Sequence, residues 1–210
     1  MSAAIESLLQ HSGIWRGPSP DRRSADTIAS GCAELDARLP GGGWPRGALT
    51  ELTLSRRAIG ELGLLMPALA RLSRENRWIA LVGPPYIPYA PAWQVSGLDV
   101  ARLLWIETHS ATDQLWAIEQ SLRAGSCSAV LAWPTAGLSF KQLRRLQLAA
   151  ESGNSWGVLF RAPAAMAQAS PAALRIHLEP SAQGLRLDLL KRRGAWGGDL
   201  IDLPRFAALR

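Results

Sequence analysis

TLSRRAIGEL, Thr53–Leu62, is the stretch on which the reading of the fold turns. It joins the apolar run Ala48–Leu54, which reads as a strand with Glu51 inside it, to Ile59–Asn76, where Leu62, Leu65, Leu69 and Leu72 recur at helical spacing. A strand, a tight loop and a helix in that order make the place where an α/β sheet holds ligands, at the carboxyl ends of its strands. A phosphate-binding loop there needs glycines, so that backbone N–H groups face the β-phosphate. It needs a lysine for the β- and γ-phosphates and a Ser or Thr for magnesium. The stretch supplies Gly60, with Glu61 in the lysine place and Leu62 in the Ser/Thr place. Like charges 4 Å apart at an effective dielectric of about 20 cost about 4 kcal/mol, so Glu61 repels a triphosphate. In the first turn of a helix the same carboxylate suits the macrodipole. ATP hydrolysis is therefore not expected, and neither is a cofactor.

Outward from this loop, strands and helices alternate. Trp78–Val82, Leu103–Ile106, Ala129–Trp133 and Trp156–Phe160 read as strands; Thr112–Ala124 and Phe140–Glu151 read as helices. Gly31–Leu39 reads as a short helix broken by Pro40-Gly41-Gly42-Gly43. Leu174–Glu179 and Leu185–Lys191 read as a β-hairpin around Ser181–Gly184. This alternation predicts an α/β fold, a mostly parallel twisted sheet with helices on both faces and an antiparallel edge hairpin. Residues 1–30 read as an N-terminal helix and linker, residues 31–193 as the domain with its degenerate loop, and residues 194–210 as a Gly-rich, Pro-interrupted C-terminal tail. The N-terminal helix suits docking on a neighbouring surface or packing on its own domain.

The bulk numbers fit one domain. A chain of 210 residues buries roughly 70–75% of its unfolded surface. The net charge of +6 favours acidic partners, nucleic acid among them, and an arginine-rich proteome produces the same excess. The two cysteines, Cys32 and Cys127, form no CxxC pair, and the three histidines are scattered, so no metal site is expected. There is no membrane-length apolar run, and MSAAIESLLQ is not a signal peptide, so the expected place is the cytoplasm. Of the nine tryptophans, several fall in apolar strands and read as core; Trp15 and Trp196, in polar flanks, read as interface anchors.

GGGWPRGALTEL (Gly41–Leu52), APAWQVSGLDVARLLWIE (Ala90–Glu107), SAVLAW (Ser128–Trp133) and SWGVLFR (Ser155–Arg161) resemble segments of RecA-type recombinases. IWRG, IGELGLLMPALARL, VGPPYIPYAPAWQ, LWAIEQSLRAGSC, RRLQLAAE and SPAALRIHLEP extend the likeness from about Ser7 onward to the ImuA proteins, in the SulA/ImuA group of RecA-like proteins. The resemblance implies a RecA-like core and an SOS-linked role in DNA-damage tolerance. It implies a non-catalytic adaptor in translesion (mutagenic) DNA synthesis. The implied partner is an ImuB-type Y-family polymerase protein, with RecA and an alternative replicative-type polymerase subunit as further candidates. The alternative within the group is a SulA-type cell-division inhibitor that binds FtsZ. Against the RecA pattern, the catalytic glutamate place holds Gly83-Pro84-Pro85, the Walker B acid place Trp133-Pro134 and the switch glutamine place Arg161. The segments at the DNA-contacting loops, Pro134–Ser139 and Ala162–Pro171, are short and Ala/Pro-rich.

The candidate partner-binding residues follow from these readings. Arg56 and Arg57 flank the vestigial loop and suit an anion or a partner carboxylate. Tyr86, Tyr89 and Trp93 belong to an aromatic-proline loop at the strand ends, an interface or a lid. Lys191, Arg192 and Arg193 follow the last predicted strand and suit a partner or a weak DNA-backbone contact. A solvated strand end is the plainer reading of those three. Glu107 and His109 lie close in sequence without a nucleophile, so no alternative catalytic site is expected.

Overall fold

Strand β3, Leu49–Leu54, is buried along its whole length, so it must be flanked on both edges and covered on both faces. In the computed structural model, which describes residues 26–192 and 195–204, it lies parallel to β7 (Trp156–Arg161) on one side and β8 (Leu174–Pro180) on the other. The remaining strands of that sheet are β4 (Trp78–Val82), β5 (Leu103–Ile106), β6 (Cys127–Ala132), β9 (Gly184–Arg192) and β10 (Ala195–Pro204). Their order is β10-β9-β8-β3-β7-β6-β4-β5, with β5 and β10 at the edges. Two short strands, β1 (Thr27–Ile28) and β2 (Trp44–Pro45), form a separate antiparallel pair.

The helices are α1 (Ala33–Asp36), α2 (Glu61–Leu72), α3 (Ala90–Val95), α4 (Ala111–Arg123) and α5 (Phe140–Gly153). Leu64, Leu65 and Leu69 of α2 join Leu52, Leu81 and Ile176 in one apolar cluster. Ile118 and Leu122 of α4 and Leu143 and Leu146 of α5 join Leu49, Val130 and Leu159 in a second. Successive strand residues point to opposite faces, so β3, β4, β6 and β7 each feed both clusters, while β8, β9 and β10 feed the α2-side one. Local chemistry sets the helix ends. Ser110 caps α4 by accepting from Asp113 N–H at 3.0 Å. Ser139 and Gln142 form a capping box at the start of α5, and Asn154 ends it in the left-handed conformation. The helices α4 and α5 approach closely at Gly153, where a Cβ would fall 1.9 Å from the carbonyl oxygen of Leu122.

The expectation of a RecA-like core with a mostly parallel sheet and one antiparallel edge hairpin needs correction. The sheet is mixed, and its antiparallel part is a three-stranded meander, β8-β9-β10. The third strand lies in the segment read as a tail. Its register against β9 shifts between Trp196 and Asp199, where Gly197 and Gly198 sit. Those glycines accommodate an irregularity within a strand rather than ending one. Beyond them Ile201 and Leu203 are buried in the α2-side cluster.

Candidate functional site

The loops at the carboxyl ends of β3 and β4, with Trp133 and the β8–β9 turn, enclose a cleft of about 590 Å³. Leu81, Trp93, Trp133 and Leu185 supply apolar surface, and Arg56 and Tyr86 also line it. Trp133 stacks on Phe160 with ring centroids 4.5 Å apart and planes 7° apart, which fixes one wall.

At one side of the cleft the loop before α2 folds around its own carboxylate. Ala58 N–H donates to Glu61 Oε1 at 3.2 Å; Ile59 and Gly60 N–H donate to Oε2 at 2.9 and 3.1 Å. Ala58 and Gly60 have φ of 59° and 103°, the left-handed turns that bring successive N–H groups to one point. Such a nest binds anions, and here its anion is Glu61, a buried side chain of the same chain. The residue that repels a phosphate by charge also occupies the donors a phosphate would use.

Behind the cleft, Gln114 of α4 holds the loop after β6. Its Nε2 donates to the Trp133 carbonyl at 3.0 Å, and its Oε1 accepts from Thr135 N–H at 2.9 Å. Gly83 permits this approach: a Cβ there would lie 2.1 Å from Gln114 Nε2. The Trp133-Pro134 segment is thus tied down by an amide, against which the Gly83 end of β4 packs.

A second polar cluster lies inside the sheet. Glu51 is fully buried and meets Arg161 Nη1 at 3.1 Å and Arg175 Nε at 3.2 Å, and accepts from the Ser170 hydroxyl. Arg161, expected at a switch position, is thus half of a buried ion pair. Arg175 also donates to the carbonyl of Ala165 at 2.7 Å. Sequence reasoning missed this cluster; three charges in apolar strands were its signal, since such charges are rarely buried unpaired.

The structure separates the expected contact residues. Arg56, Tyr86 and Tyr89 line the cleft and are exposed, with Ile87 at 80% exposure between the tyrosines, and Arg57 is exposed next to Arg56 without lining the cleft. Trp93 lines the cleft but is 3% exposed, a core residue of α3. Lys191 is part-buried and donates to the Ser170 carbonyl at 2.8 Å; burial, with Arg175 nearby, pulls its pKa below the usual lysine value. Arg192 pairs with Asp199 at 2.7 Å. Two of the three expected basic contacts are therefore tied into the fold. Trp15 and Arg193, and the side chain of Trp196, lie outside the described residues. Exposed Trp78, Trp105 and Trp116 were not singled out in the sequence. Among the described residues no group of three metal-ligating side chains exists, and no helix is long and apolar enough to cross a membrane.

Mixed sheet, two helical layers and a self-occupied nest define an α/β domain with a closed anion site beside an open apolar cleft. Residues 47–157 match the family model described as cell division inhibitor SulA. The chain belongs to the SulA family. Among relatives, the cell division inhibitor SulA of Serratia marcescens is 30% identical over 119 residues, 57% of this chain and 70% of that protein. The Yersinia enterocolitica protein of the same name is 30% identical over 134 residues, 62% of this chain and 79% of that one. That of Photorhabdus laumondii is 35% identical over 100 residues, 47% and 55% respectively. The crystal structure of SulA from Pseudomonas aeruginosa is 25% identical, with a TM-score of 0.44, covering 54% of this chain and 97% of that one. The domain is thus placed by its SulA membership, which replaces the expected RecA-like core.

Proposed function

We propose that this chain is a SulA-type inhibitor of cell division, acting by stoichiometric binding to FtsZ rather than by catalysis, in the cytoplasm. The family match carries this reading: residues 47–157 run from β3 to β7 and include the β3 and β4 loops of the cleft. The activity is the one for which these relatives are named. The occupied nest supports a binder over a nucleotide enzyme, because the donors that would grip a phosphate are already spent. Arg56, Arg57, Tyr86 and Tyr89 are the contacts this reading favours, with Trp15 and Trp196 as further candidates. FtsZ polymerisation followed by light scattering tests it. Polymer is lost at about one inhibitor per FtsZ if the reading holds, and polymer unaffected at a severalfold excess refutes it.

A second reading is the ImuA-type adaptor of translesion synthesis, with the ImuB-type protein and RecA as partners. It draws on the string SPAALRIHLEP, which carries part of the ImuA resemblance and ends in β8, outside the matched residues. Pull-down with ImuB and RecA tests it, and binding to neither removes it.

A further inference from the structure

We infer that the cleft takes a peptide segment of a partner protein in which carboxylates flank an apolar side chain. This rests on the reading of the chain as a stoichiometric protein binder and names the chemistry that its cleft selects. The interior is apolar where Leu81, Trp93, Trp133 and Leu185 meet, so the anchoring group is an aliphatic or aromatic side chain. Arg56 lines the cleft and Arg57 follows it in the same loop. Both are exposed, and among the described residues neither forms an ion pair or a side-chain hydrogen bond. The one carboxylate lining the cleft, Glu61, is committed to three backbone amides, so it does not neutralise the arginines. The cleft therefore presents apolar depth and a cationic rim, in a chain of net charge +6.

The rim also selects a peptide over a small carboxylic acid. Tyr86, Ile87 and Tyr89 stand 65%, 80% and 64% exposed beside the opening. A metabolite inside the cleft leaves this apolar surface in water, whereas a chain that enters the cleft and continues across the rim covers it. Pro84, Pro85 and Pro88 stiffen the loop that carries these side chains, so little ordering is required on binding.

The experiment uses the full chain and two labelled peptides, DDLFDD and KKLFKK, followed by fluorescence anisotropy, with benzoate as a competitor. The acidic peptide is expected to bind about tenfold more tightly than the basic one, roughly the effect of the two arginine charges of this loop. The double variant Arg56→Glu/Arg57→Glu reverses that order, a readout that a folding defect cannot produce. Tyr86→Ala/Tyr89→Ala weakens both peptides and leaves the order unchanged. Benzoate at equal concentration does not displace the acidic peptide. The inference is overturned if neither peptide binds at millimolar concentration, if the acidic preference survives charge reversal, or if benzoate competes as well as peptide. FtsZ polymerisation is measured separately on the same variants. Acidic peptide bound with polymerisation untouched leaves the cleft chemistry standing and removes the cell-division reading; polymerisation inhibited with both peptides ignored does the opposite.

Discussion

Replacing Glu61 by Ala asks whether the nest before α2 is held together by its own carboxylate. Three N–H donors lose their acceptor, at 3.2, 2.9 and 3.1 Å. A hydrogen bond to a charged group contributes about 1.5–3 kcal/mol. The three are not additive here, because Ala58 and Gly60 are exposed and water re-solvates their amides once the carboxylate is gone. The lost helix-start charge adds about 0.5 kcal/mol. The net cost is about 2–3 kcal/mol, which at roughly 2–4 °C per kcal/mol for a chain of this size lowers Tm by about 5–10 °C. Glu61→Gln keeps one oxygen for Ile59 and Gly60 while losing the charge, so about half that drop is expected. Thermal unfolding by circular dichroism measures both. Phosphate in place of chloride at equal ionic strength should raise the Tm of Glu61→Ala and leave the parent unmoved, because an external anion then finds free amides. An Ala variant that unfolds within about 1 °C of the parent, or a Gln variant that is no better than Ala, would refute the reasoning.

Other perturbations read other parts of the molecule. Arg161→Met leaves the fully buried Glu51 with Arg175 as its one cationic partner and should cost about 3 kcal/mol in chemical denaturation; a loss below 1 kcal/mol contradicts the pairing. Burial pushes the Cys127 thiol pKa up, while Cys32 is part-exposed. A thiol reagent should therefore consume one equivalent quickly and the second only after denaturant, and simultaneous labelling excludes this. Lys191 has a folded pKa lowered chiefly by burial, so above that value the unfolded chain binds more protons than the folded one. Stability should therefore rise with pH from the folded value up to the unfolded one near 10.5, and Lys191→Met should remove the rise; denaturation midpoints of both proteins at pH 8 and pH 11 decide it.

Much of the architecture was legible because strands and helices of an α/β domain carry different periods. Trp78–Val82, Leu103–Ile106 and the helix starting at Phe140 lie where their apolar spacing placed them. What was not legible depended on neighbours that sequence spacing does not reveal. The expected tail is β10 because Ile201 and Leu203 find the α2-side cluster across β9, despite the glycines before them. Trp105 reads as core by its strand yet is exposed, because β5 has a neighbour on one edge only. That position 61 holds a carboxylate and not a lysine was plain in the sequence; that this carboxylate turns back onto three amides was not, since it depends on the left-handed backbone at Ala58 and Gly60.

The packing around the Glu61 nest predicts that a lysine at position 61 does not by itself confer ATP hydrolysis. Glu61→Lys would empty the nest and put a cation beside it, so the variant should bind inorganic pyrophosphate where the parent does not. Hydrolysis needs more than a bound phosphate. Leu62 offers no oxygen for magnesium, and the β4 end is Gly83-Pro84-Pro85 with Gln114 packed against it. The β6 end is Trp133, stacked on Phe160 and bonded through its carbonyl to the same glutamine. Arg161 is committed to Glu51 inside the sheet. Each of these positions carries a contact on which packing depends, so placing a carboxylate at one of them breaks an existing contact as it adds a group. Calorimetry of Glu61→Lys with pyrophosphate should show binding, and its phosphate release from ATP should match buffer alone. Turnover by that variant would mean that catalytic groups are present and that the Glu61 carboxylate alone keeps a nucleotide from them.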